Sequence, residues 1–258
     1  MKDRIDRVME ILARKGYRSV SDLSEDLKVS EMTVRRYLDR LEQKSLIKRT
    51  HGGAFAGQEM IEVDYRVRET LCRAEKEAIA NRAYSLIQPG ESVFIDAGST
   101  TAFLAYAMDD TRRISVVTNS LIVAHALENK SNIETVLLGG KVHGATHSLI
   151  GPLAVESVNQ FRFTKAFLGV NGINLGEGLT QSNLEEIPVK KTVAHNSEKV
   201  IILADSTKFN KKVLVFFLSF NEVDIILTDK GIKPEDKASL EDVGIDVIVA
   251  DVESEAGR

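Results

Sequence analysis

The 258-residue sequence contains one cysteine, four prolines and no tryptophan. Its longest apolar stretch, Val213 to Phe220, is interrupted by Ser219. A bilayer-spanning helix needs about 20 apolar residues, so no membrane span is expected. The opening Met-Lys-Asp-Arg-Ile-Asp-Arg lacks the apolar centre of a signal peptide, and the expected compartment is the cytoplasm. A lone Cys72 fits a reducing compartment and excludes an internal disulfide. Low-complexity tracts and solenoid-period repeats are also missing. What is present is ordinary globular composition, 43% hydrophobic and 28% charged, which excludes disorder and collagen-like structure. The length fits one to two domains.

The net charge of −4 conceals an asymmetry. Residues 1–58 carry 13 Lys+Arg against 9 Asp+Glu, whereas the remainder carries 21 against 29. A basic head on an acidic body points to a polyanion as the partner of the head alone.

Within the head, Ile5, Val8, Met9 and Leu12 form one stripe of an amphipathic helix, with Gly16 placed to cap its end. Ser21 is expected to cap a short second helix carrying Leu23 and Leu27. Lys28-Val29 reads as a tight turn, and Ser30 as the cap of a third helix whose Val34, Leu38 and Leu41 face the core. Two helices joined by such a turn make a helix-turn-helix. The opposite face of the third helix presents Arg36, Asp39 and Arg40, flanked by Thr33 and Arg35. Arginine forks match guanine edges and phosphates, and a helix fits the major groove. Leu46 to Thr50 reads as a short strand, with His51-Gly52-Gly53 as the turn of a wing. Its Lys48 and Arg49 suit phosphate contact.

The string Val29 to Leu38, followed by Leu46 to Arg49 and His51 to Ala54, closely resembles the N-terminal winged helix-turn-helix of the DeoR-type transcriptional regulators. The resemblance implies double-stranded operator DNA as partner. It implies a contact set of Ser30, Glu31, Met32, Thr33, Arg35, Arg36 and Arg40 on the third helix, with Lys48, Arg49, His51 and Gly52 in the wing. Tyr37 stands where many relatives carry Asp.

Residues 59–72 read as a linker with some helix, and residues 73–258 as the second domain. From Arg73 onward, helical and strand-like segments alternate. A helix from Arg73 to Ile87 precedes strands at Ser92 to Asp96, Ile114 to Thr118, Glu134 to Leu138, Lys165 to Val170, Val200 to Ala204, Ile225 to Thr228 and Ile245 to Val249. Intervening helices are expected at Thr100 to Met108 and Leu121 to Glu128. β-branched runs between helices indicate a buried parallel sheet, a Rossmann-like α/β body. Ligands in such sheets bind at the carboxyl ends of strands. The first strand runs into Asp96-Ala97-Gly98-Ser99-Thr100-Thr101 at a helix start, where free N–H groups can cradle a phosphate. This loop is neither a Walker A nor a dinucleotide fingerprint. The second strand ends in Thr118-Asn119-Ser120 and the third in Gly139-Gly140-Lys141. Three polar strand ends favour a small anionic ligand.

These strand ends also resemble the DeoR-type sensor domain, as do Leu149 to Pro152, Phe167 to Ile173, Gly178 to Glu186 and Leu203 to Phe209. That domain is similar in fold to ribose-phosphate isomerases and coenzyme A transferases. The resemblance implies a repressor of carbohydrate catabolism genes, released from its operator by a phosphorylated sugar. By position, Gly98, Ser99, Thr100 and Thr101 would hold the phosphate. Asp96, Asn119, Glu186, Asp205 and Lys208 would surround the hydroxyls, with Lys190 reaching the same pocket from a helix starting near Asn183. Thr118, Ser120, Gly139, Gly140, Lys141, Asn171 and Gly172 complete the expected effector set. Thr164 stands where relatives often have Asp, which counts against isomerase-like acid-base chemistry.

The competing reading is a sugar-phosphate isomerase or deaminase with an appended helical domain, using Asp96 or Glu186 as base. The basic recognition helix and wing favour the regulator, so no catalytic residue, cofactor or metal is expected. His143 and His147 fall in a loop without an internal carboxylate, a poor metal site. Glu185 should be solvated and Glu186 inward, Lys211-Lys212 a turn, and Cys72 inert. Helix-turn-helix proteins pair two heads across half-sites, so a homo-oligomer, dimer or tetramer, is expected with no membrane partner.

Overall fold

The computed structural model describes residues 5, 7–9, 11–12, 18–43, 47–50, 52–56 and 65–251. It divides into two compact units, Met1–Val67 and Arg68–Arg258.

In the first unit, residues 5, 7–9, 11 and 12 are helical, with Val8 and Leu12 fully buried. Gly16, Leu46 and His51 lie outside the described residues. A two-residue strand β1 (Arg18–Ser19) leads into α1 (Val20–Leu27), then α2 (Glu31–Gln43). The cap of α1 is Ser19, not Ser21. The Ser19 hydroxyl accepts from the Asp22 N–H at 3.0 Å while the Asp22 carboxylate accepts from the Ser19 N–H at 3.3 Å. This reciprocal box satisfies two end donors of the helix, and a Ser at position 21 lies too far inside to do so. Lys28 then turns the chain in the left-handed region (φ 52°), and the Ser30 hydroxyl accepts from the Thr33 N–H at 3.3 Å.

One face of α2 packs Val34, Tyr37, Leu38 and Leu41 against Val8, Leu12, Leu23, Ile47 and Ala54. Burying each large apolar side chain contributes roughly 1.5–3 kcal/mol, which fixes the rotation of the helix. The wing is a hairpin of β2 (Ile47–Thr50) and β3 (Gly53–Ala56), with Thr50 opposite Gly53. Gly53 therefore opens the return strand rather than completing the turn. That strand also pairs with β1, giving the order β1-β3-β2.

The second unit is built on seven parallel strands. They are β4 (Ser92–Ile95), β5 (Ile114–Thr118), β6 (Ile133–Leu137), β9 (Lys165–Gly169), β12 (Val200–Leu203), β14 (Ile225–Asp229) and β15 (Asp246–Ala250). Their order is β15-β14-β12-β9-β4-β5-β6, parallel at every junction. Helix α3 (Tyr65–Thr70) precedes α4 (Arg73–Ser85); α5 (Ser99–Ala107) follows β4 and α6 (Leu121–Leu127) follows β5. Two apolar layers sandwich the sheet, one around Phe94, Leu168 and Ile202, the other around Ile95, Phe167 and Ile201. Adjacent residues of one strand enter opposite layers, as the two-residue period of a strand requires.

Three features differ from the sequence reading. Strand β6 is a sheet edge, with Val136 and Leu137 exposed rather than buried. Its apolar residues fit an edge as well as a core, and alternation alone does not separate the two. A hairpin of β7 (Lys141–His143) and β8 (Ser148–Ile150) occupies the region read as loop. A small antiparallel sheet, β10 (Gly172–Asn174), β11 (Gly178–Gln181) and β13 (Val215–Leu218), adds to the parallel one. These strands span only three or four residues each, too short for a periodic signal.

Candidate functional site

On the head, Arg35, Arg36 and Arg40 are exposed along the outer face of α2, and Met32 at its start is 80% exposed. Glu31 pairs with Arg35 one turn on, at 3.6 Å. The Thr33 hydroxyl lies 3.0 Å from that of the cap Ser30. Arg49 reaches from the wing to Asp39 on α2, an ion pair that ties strand to helix. Gly52 accepts the Val20 N–H at 2.8 Å through its carbonyl, which fixes the wing turn to α1. Tyr37 is buried in the head core, so its difference from many relatives concerns packing and not the outer face.

On the body, β4, β5 and β6 are laid down in one direction, after which β9 crosses to the far side of β4 and β12, β14 and β15 continue outward. The order therefore reverses between β4 and β9. Loops leaving those two strands diverge, and a crevice opens at their carboxyl ends. There a cleft is lined by Ala97, Gly98, Ser99 and Thr100 from β4–α5, and by Gly169, Val170 and Asn171 after β9. Gln181, Lys190, Leu203, Lys208 and Arg68 complete it.

Helix α5 opens with Gly98 as a cap lacking any side-chain acceptor. The N–H groups of its first turn have no partner within the helix and point outward along the positive end of its dipole. The Thr101 hydroxyl instead donates to the Asp96 carbonyl at 2.6 Å and stiffens the loop. Lys190 comes from α7 (Ile187–His195), which a short 3-10 turn, Leu184–Glu186, starts beside Asn183. Its ammonium pairs with Asp96 and donates to the Gly169 carbonyl at 2.9 Å; the Asp96 carboxylate also accepts the Gly169 N–H at 3.0 Å. Complete burial pushes the Asp96 carboxyl up, with Lys190 acting against that. Glu186 is likewise buried, accepting from Thr146 at 2.7 Å, from Ser148 at 3.2 Å and from the Gln181 amide. The other end of that amide, Gln181 Oε1, is a buried acceptor with no donor. A buried acceptor left without a donor costs about 1–3 kcal/mol.

The structure brings Gly98, Ser99, Thr100, Asn171, Lys190 and Lys208 to one cleft, with Asp96, Thr101 and Glu186 just behind. Asp205 is buried and caps the 3-10 turn Ser206–Lys208 by accepting the Thr207 N–H at 3.1 Å. Other expected residues lie outside the lining of this cleft. Asn119 accepts the Ala97 N–H at 3.0 Å, Thr118 donates to the Ile95 carbonyl at 2.6 Å, and Ser120 caps α6. They brace the β4 and β5 ends against each other. Gly140 would place a Cβ 2.8 Å from the Ile150 carbonyl, and Gly172 one 2.6 Å from that of Lys211. Both glycines answer close backbone approach. Gly139 packs beside Leu153, and Lys141 pairs with exposed Glu185 at 3.0 Å. The cleft thus lies on the β9 side of β4, where the resemblance had put Asn171, Lys190 and Lys208, whereas the three polar strand ends pointed to the β5–β6 side. Thr164 sits at the opposite, amino end of β9, bonded to Ser92, and has no bearing on cleft chemistry.

Sequence reasoning missed Arg68 and Gln181. Arg68 fell in the polar linker, and Gln181 lay within the family-like run Gly178 to Glu186 without being singled out; the fold collects both. A larger groove of about 440 Å³ lies between α6 and β6, lined largely by aliphatic side chains with His125 and Glu128. Thr135 is its one further polar lining residue and no Lys or Arg lines it, so the smaller cleft, with Arg68, Lys190 and Lys208, suits an anion better. Among the described residues no cluster of His, Cys, Asp or Glu could hold a metal, and no helix is long and apolar enough to cross a membrane.

A winged helix-turn-helix joined to a parallel α/β domain with a polar cleft at its strand-order reversal defines a class, the DNA-binding transcriptional regulators that carry a sensor domain. Residues 4–59 match the DeoR-like helix-turn-helix domain, and residues 72–230 match the DeoR C terminal sensor domain. The chain belongs to the DeoR family. It is 34% identical over 250 residues to the HTH-type transcriptional regulator GlpR of Haloferax volcanii, covering 95% of this chain and 96% of the relative. It is 32% identical to the regulator YulB of Bacillus subtilis, covering 95% of each. The glycerol-3-phosphate regulon repressor of Escherichia coli is 32% identical, over 86% of this chain and 88% of that one. Among solved structures, ribose 5-phosphate isomerase A from Neisseria gonorrhoeae matches 55% of this chain and 54% of its own, at 21% identity and a TM-score of 0.40.

Proposed function

We propose that this regulator represses carbohydrate catabolism genes and leaves its operator when a phosphorylated sugar enters the cleft between β4 and β9. One observation carries the reading. The open N-terminus of α5, the cations Arg68 and Lys208, and the amide of Gln181 line one cleft. The first two suit a phosphate, and the third suits a hydroxyl. The E. coli relative named for the glycerol-3-phosphate regulon and a Lactococcus lactis relative named for the lactose phosphotransferase system support the same class of effector.

In this reading Met32, Thr33, Arg35, Arg36 and Arg40 face the major groove while the wing, including Lys48, Arg49 and Gly52, lies on the backbone. The working division is a head of 1–58, a connecting segment of 59–72 and a body of 73–258, supported by the matched ranges 4–59 and 72–230. The body binds its ligand without turning it over, because both candidate bases, Asp96 and Glu186, are already committed to Lys190, Gly169, Thr146, Ser148 and Gln181. The chain acts in the cytoplasm as a homo-oligomer that presents paired heads.

The test is thermal-shift screening with glycerol 3-phosphate, ribose 5-phosphate, fructose 6-phosphate and glucosamine 6-phosphate beside their unphosphorylated forms. A ligand at 100 times its Kd adds about 2.7 kcal/mol to native stability. A phosphorylated member should raise Tm and its unphosphorylated form should not. Equal response to both forms contradicts the phosphate site.

A further inference from the structure

A single exposed apolar side chain is common on a protein surface, so its position carries more meaning than its exposure. Met32 is 80% exposed at the second residue of α2. Its position is specific. Val34, Tyr37, Leu38 and Leu41 pack one side of the helix, and Met32, Arg36 and Asp39 form the i, i+4, i+7 stripe on the opposite side. Met32 is the apolar member of that stripe and the one nearest the helix start. In a helix-turn-helix, the N-terminal residues of the recognition helix are those that contact base edges.

The polar groups around Met32 already have partners in the head. The Ser30 and Thr33 hydroxyls lie 3.0 Å apart, and the Ser30 hydroxyl also accepts the Thr33 N–H at the cap. Glu31 pairs with Arg35 on one flank, and Asp39 holds Arg49 of the wing. The Met32 thioether is too weak an acceptor to join these bonds. The side chain therefore stands in the middle of the outer face as an unbranched, polarizable apolar arm.

The major groove offers hydrogen-bonding edges at every base pair but one apolar group, the C5-methyl of thymine. A methionine laid against that methyl removes two apolar surfaces from water. Laid against a polar base edge, it would strip hydration and return no hydrogen bond. Resting on the assignment of α2 to the major groove, we infer that Met32 is a specificity-determining residue that reads the methyl group of a thymine in each half-site. Arg36, one turn further on, supplies hydrogen bonds and charge, whereas Met32 selects by shape and hydrophobicity. Burial of one methyl group corresponds to roughly a three- to tenfold gain in affinity per half-site.

The experiment uses the full chain and a duplex selected from random DNA by binding. Each thymine is replaced in turn by deoxyuridine, which removes the methyl and keeps every hydrogen-bonding edge. Each guanine is replaced in turn by 7-deazaguanine, which removes one major-groove acceptor. Wild type, Met32→Ala and Met32→Leu are titrated on both series. Wild type should lose roughly three- to tenfold at one thymine per half-site. Met32→Ala should keep the wild-type Tm and its response to 7-deazaguanine, yet bind the thymine and uracil duplexes alike at that position. Met32→Leu, which keeps an apolar arm, should retain part of the uracil response. Two results overturn the inference and leave the major-groove assignment standing. One is a wild type that loses affinity at guanines and at no thymine; the other is a Met32→Ala chain that keeps the full uracil response at every thymine. If neither series affects wild type, the major-groove assignment falls and this inference with it.

Discussion

At the scale of single residues, the outer face of α2 carries the sharpest expectation. Arg36 is exposed and lies opposite the packed row Val34, Leu38 and Leu41, so its truncation leaves no cavity. Arg36→Ala should keep the wild-type Tm and lose about 1–3 kcal/mol of specific binding per half-site, read by mobility shift on a selected duplex. Affinity within twofold of wild type contradicts the assigned face. Tyr37→Asp makes the complementary point. It places a carboxylate in the head core, and should lower head stability before it changes any contact with DNA. Lys76 gives a pH signature. Its pKa is about 8 in the fold against 10.5 when free, so between those values the unfolded chain binds the extra proton and stability rises with pH. Wild type should therefore gain stability relative to Lys76→Met across that window, measured by chemical denaturation. A difference independent of pH contradicts a buried, charge-penalised Lys76.

Elements show where sequence was informative and where it stopped. The cap box of α1 is local chemistry, and Ser19→Ala should cost about 1 kcal/mol of head stability. The sequence still favoured Ser21, because several hydroxyls crowd the helix start and only the pairing of β1 with β3 fixes where it begins. The seven parallel strands were legible as short apolar runs, six of them rich in β-branched residues and β9 carried by Ala166, Phe167 and Leu168. The hairpin β7–β8 and the sheet β10-β11-β13 were not, since three- and four-residue strands are held by long-range pairing. The loop before α5 was legible as a helix start rich in small and hydroxyl residues. Of its partners, Asn171, Lys190 and Lys208 came with the family resemblance, whereas Arg68 and Gln181 were hidden, because the crossing of β9 to the far side of β4 decides which strand ends face the loop. Hence Asn119 and Gly140, chosen for their chemistry, turn out to brace backbone, while Arg68 and Gln181 enter from distant segments. Thr100→Glu tests this element. Bulk and like charge at the α5 N-terminus should abolish the phosphosugar thermal shift and leave DNA binding intact; an undiminished shift would place the phosphate elsewhere.

For the whole molecule, the account joins a basic head that reads DNA to an acidic body that reads a small anion. Paired heads require an oligomer, and the full chain should sediment as a dimer or tetramer, whereas a monomer at working concentration contradicts paired half-site recognition. The central claim is that the two readings are coupled. Coupling of this kind is reciprocal, so the factor by which the sugar weakens DNA binding must equal the factor by which DNA weakens sugar binding. The direct measurement is a pair of titrations on the same protein: operator affinity with and without saturating phosphosugar, and phosphosugar affinity with and without saturating operator. The account predicts equal factors in both directions, on the order of 5- to 150-fold, with the unphosphorylated sugar near one. A phosphosugar that binds tightly while leaving operator affinity unchanged contradicts it.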